Sequence, residues 1–167
     1  MTPQAKNILT VYAVLAGSIL TGFVPKLLFA LLAMVLFSAA LSMAGSRRRK
    51  ADIADDTYIS GHMTYIIRTI WITCLVGFFS TIAASVYVLS AYNPELLNQC
   101  MNDMMAGTVG PDVAICLKNF AEGNWPILLN GTVIAALPLG LYLALRMGRG
   151  LNAAFGDKPI TNPKTWL

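Results

Sequence analysis

Four stretches of this chain run almost without charge: residues 8–24, 27–44, 63–92 and 127–145. Apolar residues follow one another there with no strand-like alternation. About 20 such residues in a helix cross the ~30 Å hydrocarbon core of a bilayer. The pattern therefore predicts an all-α integral membrane protein with four transmembrane helices in a single membrane domain. Residues 8–44 as one helix would reach ~55 Å at 1.5 Å per residue, nearly twice the membrane. The segment Gly22–Lys26 contains Pro25, which fixes its own φ and disfavours helix in the residue before it. A helical hairpin turning at Pro25 is favoured over one long kinked helix. Gly17, Gly22, Ala13, Ala16 and Ser18 would let its two arms approach closely. Pro138 falls inside the fourth stretch and predicts a kink. The sequon Asn130-Gly131-Thr132 falls there too, where it has no use.

Three polar regions separate and follow these spans: a loop at 45–62, a long loop at 93–126 and a tail at 146–167. Gly45 marks the end of the second span. Charge assigns them sides. The loop opens with Arg47, Arg48, Arg49 and Lys50, a basic anchor, and the tail carries Arg146, Arg149, Lys158 and Lys164. Loop 93–126 has only Lys118 against Glu95, Asp103, Asp112 and Glu122. By the positive-inside rule the first loop and the tail are cytoplasmic and the long loop is periplasmic. Lys6 puts the N-terminus inside as well, and four crossings satisfy every placement. Lys26 is the exception, and a lone lysine in an outer turn can snorkel. No Ala-x-Ala-like site follows residues 8–24, which predicts a retained helix rather than a cleaved signal peptide. With 56% hydrophobic and 12% charged residues, against ~25% charged in a soluble domain, composition points the same way. The loop 45–62 reads as a solvated cytoplasmic segment whose basic run can also touch anionic headgroups. Asp52, Asp55 and Asp56 would sit near the positive end of the third helix.

The long loop is too long to be structureless, and a short helix near residues 94–105 is expected. Cys100 and Cys116 lie in it. In an oxidising periplasm a disulfide between them is expected, worth ~3 kcal/mol in the chain-entropy model. Cys74, inside the third span, reads as a small apolar packing residue.

The third span holds the richest polar set. His62 is the only histidine, and Arg68 lies about two turns into the helix. A buried arginine costs several kcal/mol unless it snorkels or is paired. Tyr65 and Trp71 suit an interfacial level. His62 and Thr69, seven apart, share a face; Arg68 projects from another. His62, Arg68, Thr69 and Trp71 are the candidates for a polar or lipid-headgroup site; the plainer role for Arg68 is to snorkel to phosphate or to pair with an acidic residue or the tail. No Asp or Glu lies inside any span, so a proton relay would lack its carboxylate. There is no Ser/His/Asp constellation, metal-spaced histidine cluster or phosphate-binding glycine loop. The sequence therefore points away from an enzyme, with no cofactor. Met101, Met104 and Met105 beside Cys100 are soft copper(I) ligand types, but apolar packing explains them more simply.

Two stretches together resemble a known family. They are His62…Arg68-Thr69-Ile70-Trp71, and Arg149-Gly150-Leu151…Lys158-Pro159-Ile160…Asn162-Pro163…Thr165-Trp166-Leu167. The pair resembles a family of small bacterial integral membrane proteins of unknown function, similar in layout to a chloroplast inner-envelope import component. The resemblance implies a multi-pass protein of the bacterial inner membrane and supplies no enzyme chemistry. Pro159, Ile160, Asn162, Pro163 and Trp166 form its tail motif; the prolines exclude a regular helix, and the Trp-Leu end would fold back to the interface.

Three functional readings follow. The first is a non-enzymatic accessory or structural subunit of a larger inner-membrane assembly, whose partners are lipids and other membrane subunits or itself, with no nucleic acid. The second is a small transporter, channel or protein-translocation component. The third is a periplasm-facing redox or copper factor built on Cys100, Cys116 and the methionines.

Overall fold

In the computed structural model the protein is all-helical, with six helices among the described residues: α1 (Pro3–Gly22), α2 (Leu27–Ile53), α3 (Thr57–Ala91), α4 (Glu95–Met105), α5 (Val113–Gly123) and α6 (Trp125–Phe155). The structure describes residues 2–22, 24, 26–105, 113–160 and 162–163, without the side chains of 100, 103, 104 and 113–115. α1, α2, α3 and α6 are long and apolar enough to cross a membrane, so this is a multi-pass membrane protein.

The chain divides into two compact units. Unit 1 contains α1, α2, α3 as far as Leu75 and α6 from Leu141 onward. Its core follows from helical spacing. On α1, Ala5, Ile8, Val11, Tyr12, Leu15 and Ser18 are buried, a stripe at steps of three and one that a 3.6-residue period places on one side. On α2 the buried positions are alanines, Ala40, Ala44 and Ala51, so the backbones approach closely. Ile8, Val11, Tyr12, Leu15, Ala40, Ala44, Met63, Ile66, Ile70 and Ala154 form one cluster. α1 and α2 pack along their length as the arms of a hairpin. A Cβ at Gly17 would lie 3.8 Å from Leu36, and one at Gly22 3.8 Å from Ala33. Pro25 itself lies outside the described residues. The outward side of α2 is apolar, with Leu27 and Leu28 more than 70% exposed, as a lipid-facing helix requires.

Several boundaries differ from the sequence-based expectation. The 45–62 loop is nearly all helix: α2 runs on to Ile53 and α3 starts at Thr57. Gly45 is interior to α2, with open space where a Cβ would stand. The basic run continues the helix because arginine, lysine and alanine are good helix formers, cations favour a helix C-terminus, and Arg48 pairs with Asp52 one turn on (3.7 Å). The turn is a Schellman motif. Asp55 takes φ 55° and the Asp56 N–H donates to Ala51 O at 2.9 Å. Asp56 then caps α3, accepting from the Ile59 N–H at 3.1 Å. At the other end of the unit's sequence, α6 continues past Arg146 to Phe155, so the chain does not leave its helix at Arg146. It ends in the same motif, with Asp157 at φ 49° and the Lys158 N–H on Ala153 O at 2.9 Å. From Lys158 through Ile160 the chain is non-helical, as Pro159 requires. Side chains tie these ends together: Thr2 donates to Asp157 and Gln4 to Asp56, both at 2.9 Å, and Arg47 donates to the Asn7 carbonyl.

Unit 2 comprises residues 76–140. The long loop holds the expected helix as α4 and a second one, α5. Asn124, fully buried between α5 and α6, organises it. Its Oδ1 accepts from the Asn93 N–H (2.8 Å) and its Nδ2 donates to Phe120 O (3.1 Å). α6 is continuous through Pro138. Cys116 is buried. The expected Cys100–Cys116 pairing falls on a side chain outside those described, as does Met104. Met101 and Met105 are exposed rather than packed. Cys74, expected in helix packing, is a free, exposed thiol.

Candidate functional site

Unit 1 brings His62, Tyr65 and Thr69 of α3 beside α6 and the segment that follows it. α3 presents His62, Tyr65 and Thr69, buried at positions i, i+3 and i+7. α6 presents Leu143, Arg146, Gly150 and Ala154, also on one face. Arg146 is fully buried. Its guanidinium lies over the Tyr65 ring, 3.7 Å from the centroid, a cation–π contact. Nε donates to Thr69 Oγ1 at 3.2 Å, and Nη2 makes a long 3.5 Å contact to Tyr65 O. Thr69 in turn donates to Tyr65 O at 2.8 Å. The Tyr65 hydroxyl donates to Arg146 O at 3.2 Å, closing the link in the other direction.

The level of this site follows from the sequence. Residues 125–145 and 69–91 are free of charged side chains, and each stretch is about the length that spans hydrocarbon. Arg146 ends one and Thr69 begins the other. The guanidinium thus stands where both uncharged stretches end, turned into protein.

Two further groups complete the site. Tyr12 of α1 is 2% exposed and its phenol fills the space beside Gly150, where a Cβ would overlap its ring and hydroxyl. His62 Nε2 lies 3.1 Å from Lys158 O. A carbonyl only accepts, so Nε2 carries the hydrogen and Nδ1 is the bare acceptor. That Nδ1 and the hydroxyls of Tyr12 and Tyr58 are buried without a hydrogen-bond partner, whereas the Tyr142 hydroxyl is engaged by Arg146. The Tyr58 ring stands edge-on to His62 at 5.0 Å. The Schellman turn at Asp157 aims the Lys158 carbonyl at the histidine, and Ile160 O lies beside Gly61.

Of the residues singled out in the sequence, His62 and Thr69 thus meet α6 and the segment that follows it. Arg68 and Trp71 are on the other side of α3, Arg68 half-buried and Trp71 62% exposed. Tyr65, expected at an interfacial level, is 3% exposed beneath Arg146. Arg48, Arg49 and Lys50 are exposed. Ile160, Asn162 and Pro163 are described; Trp166 lies outside the described residues. Arg146, Tyr12, Tyr142 and Gly150 were missed as site residues. The signal was present in the spacing Leu143, Arg146, Gly150, Ala154, which places the arginine on the side of α6 where small residues permit packing.

Unit 2 has a different feature, an open groove of about 480 Å³ between α3 and α6, lined by Thr81, Ala84, Ser85, Val88, Gly131 and Ala135, among others. Gly131 sits against Val88 and Ala84. Thr81 and Thr132, which also lines it, donate to the Gly77 and Leu128 carbonyls at 2.8 Å, so these hydroxyls are satisfied within their own helices. No three His, Cys, Asp or Glu side chains gather in a metal-binding group among the described residues. Comparison with protein-family models, with curated proteins and with solved structures finds no match to this chain.

Proposed function

We propose that this protein is a non-enzymatic helical subunit of a larger assembly in the bacterial inner membrane, and that a transmembrane helix of a neighbouring subunit seats in the groove of unit 2. The groove carries this reading. Small residues on both of its walls (Ala84 and Ser85, Gly131 and Ala135) permit the close backbone approach that drives helix association in lipid, and Ser85 is exposed to meet a polar partner. In unit 1, by contrast, the Arg146 guanidinium and the Tyr65 and Thr69 hydroxyls are spent on holding α3 to α6.

Ala135→Phe should fill the groove. The expected result is a protein that melts like wild type in mild detergent but loses the membrane protein that co-purifies with it. A single cysteine at Ser85, in a chain whose native cysteines are replaced, should cross-link to that partner. Unchanged co-purification in Ala135→Phe would refute the assignment.

A small transporter or translocation component is the second reading. The unpartnered hydroxyl of Tyr12, within electrostatic reach of Arg146, favours it as the start of a polar path. It requires solute flux in proteoliposomes that Tyr12→Phe diminishes, and a lack of flux removes it.

We place the basic anchor and both termini in the cytoplasm and residues 93–126 in the periplasm, with Cys100 and Cys116 joined. A membrane-impermeant thiol probe should label these two cysteines in intact spheroplasts only after reduction. Labelling without reductant would exclude the bond, and labelling only of inverted vesicles would reverse the orientation.

A further inference from the structure

Arg68 stands apart from the polar network of unit 1. It is half-buried and makes no hydrogen bond or ion pair with any described residue. Its level is the same edge of the apolar layer that Arg146 marks, since residues 69–91 beyond it are uncharged. A guanidinium held there needs a counter-charge. The chain offers none nearby in sequence: residues 1–51, 57–94 and 123–156 contain no Asp or Glu. Asp52, the acid of α2, is engaged by Arg48 and Ser60. Trp71 and Leu75 share the face of Arg68 at i+3 and i+7 and are 62% and 49% exposed. The hydroxyl of Tyr142, from α6, is within electrostatic reach of Arg68 but is engaged by Arg146. A cation at the boundary, an indole beside it and an open aliphatic surface next to that match the parts of a phospholipid in their order: phosphate, glycerol level, acyl chain.

We propose that Arg68 and Trp71 form a binding site for the phosphate group of an inner-leaflet phospholipid, with Leu75 against its acyl chain. A guanidinium is suited to this because its fork of N–H donors matches two phosphate oxygens. The open face of Trp71 and Leu75 argues for a lipid over a soluble phosphate, since a free anion would leave that apolar surface unused. The site is separate from the groove of unit 2, so it stands whether or not a partner helix seats there.

The test is native mass spectrometry of the full chain in detergent, delipidated and then titrated with phosphatidylglycerol or with diacylglycerol, which lacks the phosphate. Wild type should bind phosphatidylglycerol and not diacylglycerol. Loss of a charge-assisted contact in Arg68→Gln should weaken binding about tenfold or more. Trp71→Ala should weaken it less, and Arg49→Gln, in the basic anchor, should leave it unchanged. Arg68→Lys keeps the charge and should retain most of the binding. Millimolar inorganic phosphate should not displace the lipid. Equal binding by wild type and Arg68→Gln, equal uptake of diacylglycerol, equal loss in Arg68→Lys and Arg68→Gln, or displacement by inorganic phosphate would each overturn the proposal. Melting curves of each variant show that the fold is retained.

Discussion

Arg146→Ala is expected to lose about 2–4 kcal/mol of stability. The variant gives up a desolvated cation–π contact with Tyr65, worth ~2 kcal/mol, and a charge-assisted hydrogen bond to Thr69, worth ~1.5–3 kcal/mol. It also leaves the space of a long side chain between α3 and α6. Release of the desolvation cost of a buried charge offsets part of this, so the net loss is smaller than the sum. Arg146→Lys should not restore stability, because an ammonium cannot lie flat over the Tyr65 ring while donating from the Nε position to Thr69. Arg146→Met keeps most of the volume without the charge and should fall between wild type and alanine. Thermal and denaturant unfolding in mild detergent measure the series. An alanine variant that unfolds with wild type would mean that the guanidinium does not join the two helices.

The second large effect is expected at Gly150. A methyl group there would run into the phenol of Tyr12, which core residues hold on every side. Alanine normally favours a helix over glycine by ~0.8–1.0 kcal/mol. Overpacking a close-packed core costs ~1–3 kcal/mol, so Gly150→Ala should be destabilising on balance. Gly140 and Gly148 lie in the same helix with nothing within 4 Å of a Cβ position, and alanine there should be neutral or stabilising. Tyr12→Leu shortens the obstructing side chain. The cost of Gly150→Ala should therefore shrink in the Tyr12→Leu background, and a double-mutant cycle measures that coupling. Additive effects would separate Tyr12 from Gly150.

Much of the architecture was legible in the sequence because its main determinant is composition: long uncharged runs have few alternatives to helices in lipid. The hairpin, the helix in the long loop and the shared face of His62 and Thr69 follow from spacing and proline chemistry. The helix boundaries were harder. Polar residues such as Arg47–Lys50 read as loop by hydropathy, yet they are strong helix formers, and a long helix persists beyond the membrane when they follow it. Arg146 was hidden for a related reason. A cation at the end of an apolar run usually marks an exit to water, and only its register with Gly150 and Ala154 tells that it turns inward. The pairing of Tyr65 was not legible because aromatic residues suit both an interface and a cation–π stack, and the partner lies 81 positions away. The second loop helix, α5, carried a weak signal in its apolar Val113-Ala114-Ile115 start.

The unbroken course of α2 sets a limit on where that helix can go. Its 27 residues measure ~40 Å, against ~30 Å of hydrocarbon, so about 10 Å projects. Four consecutive cations ride on that projection, each turned ~100° from the last, and together they encircle the shaft. However the helix rolls, sinking it further would drag a guanidinium or ammonium into oil. The quartet therefore works as a collar, a depth stop that acts at any rotation of the helix.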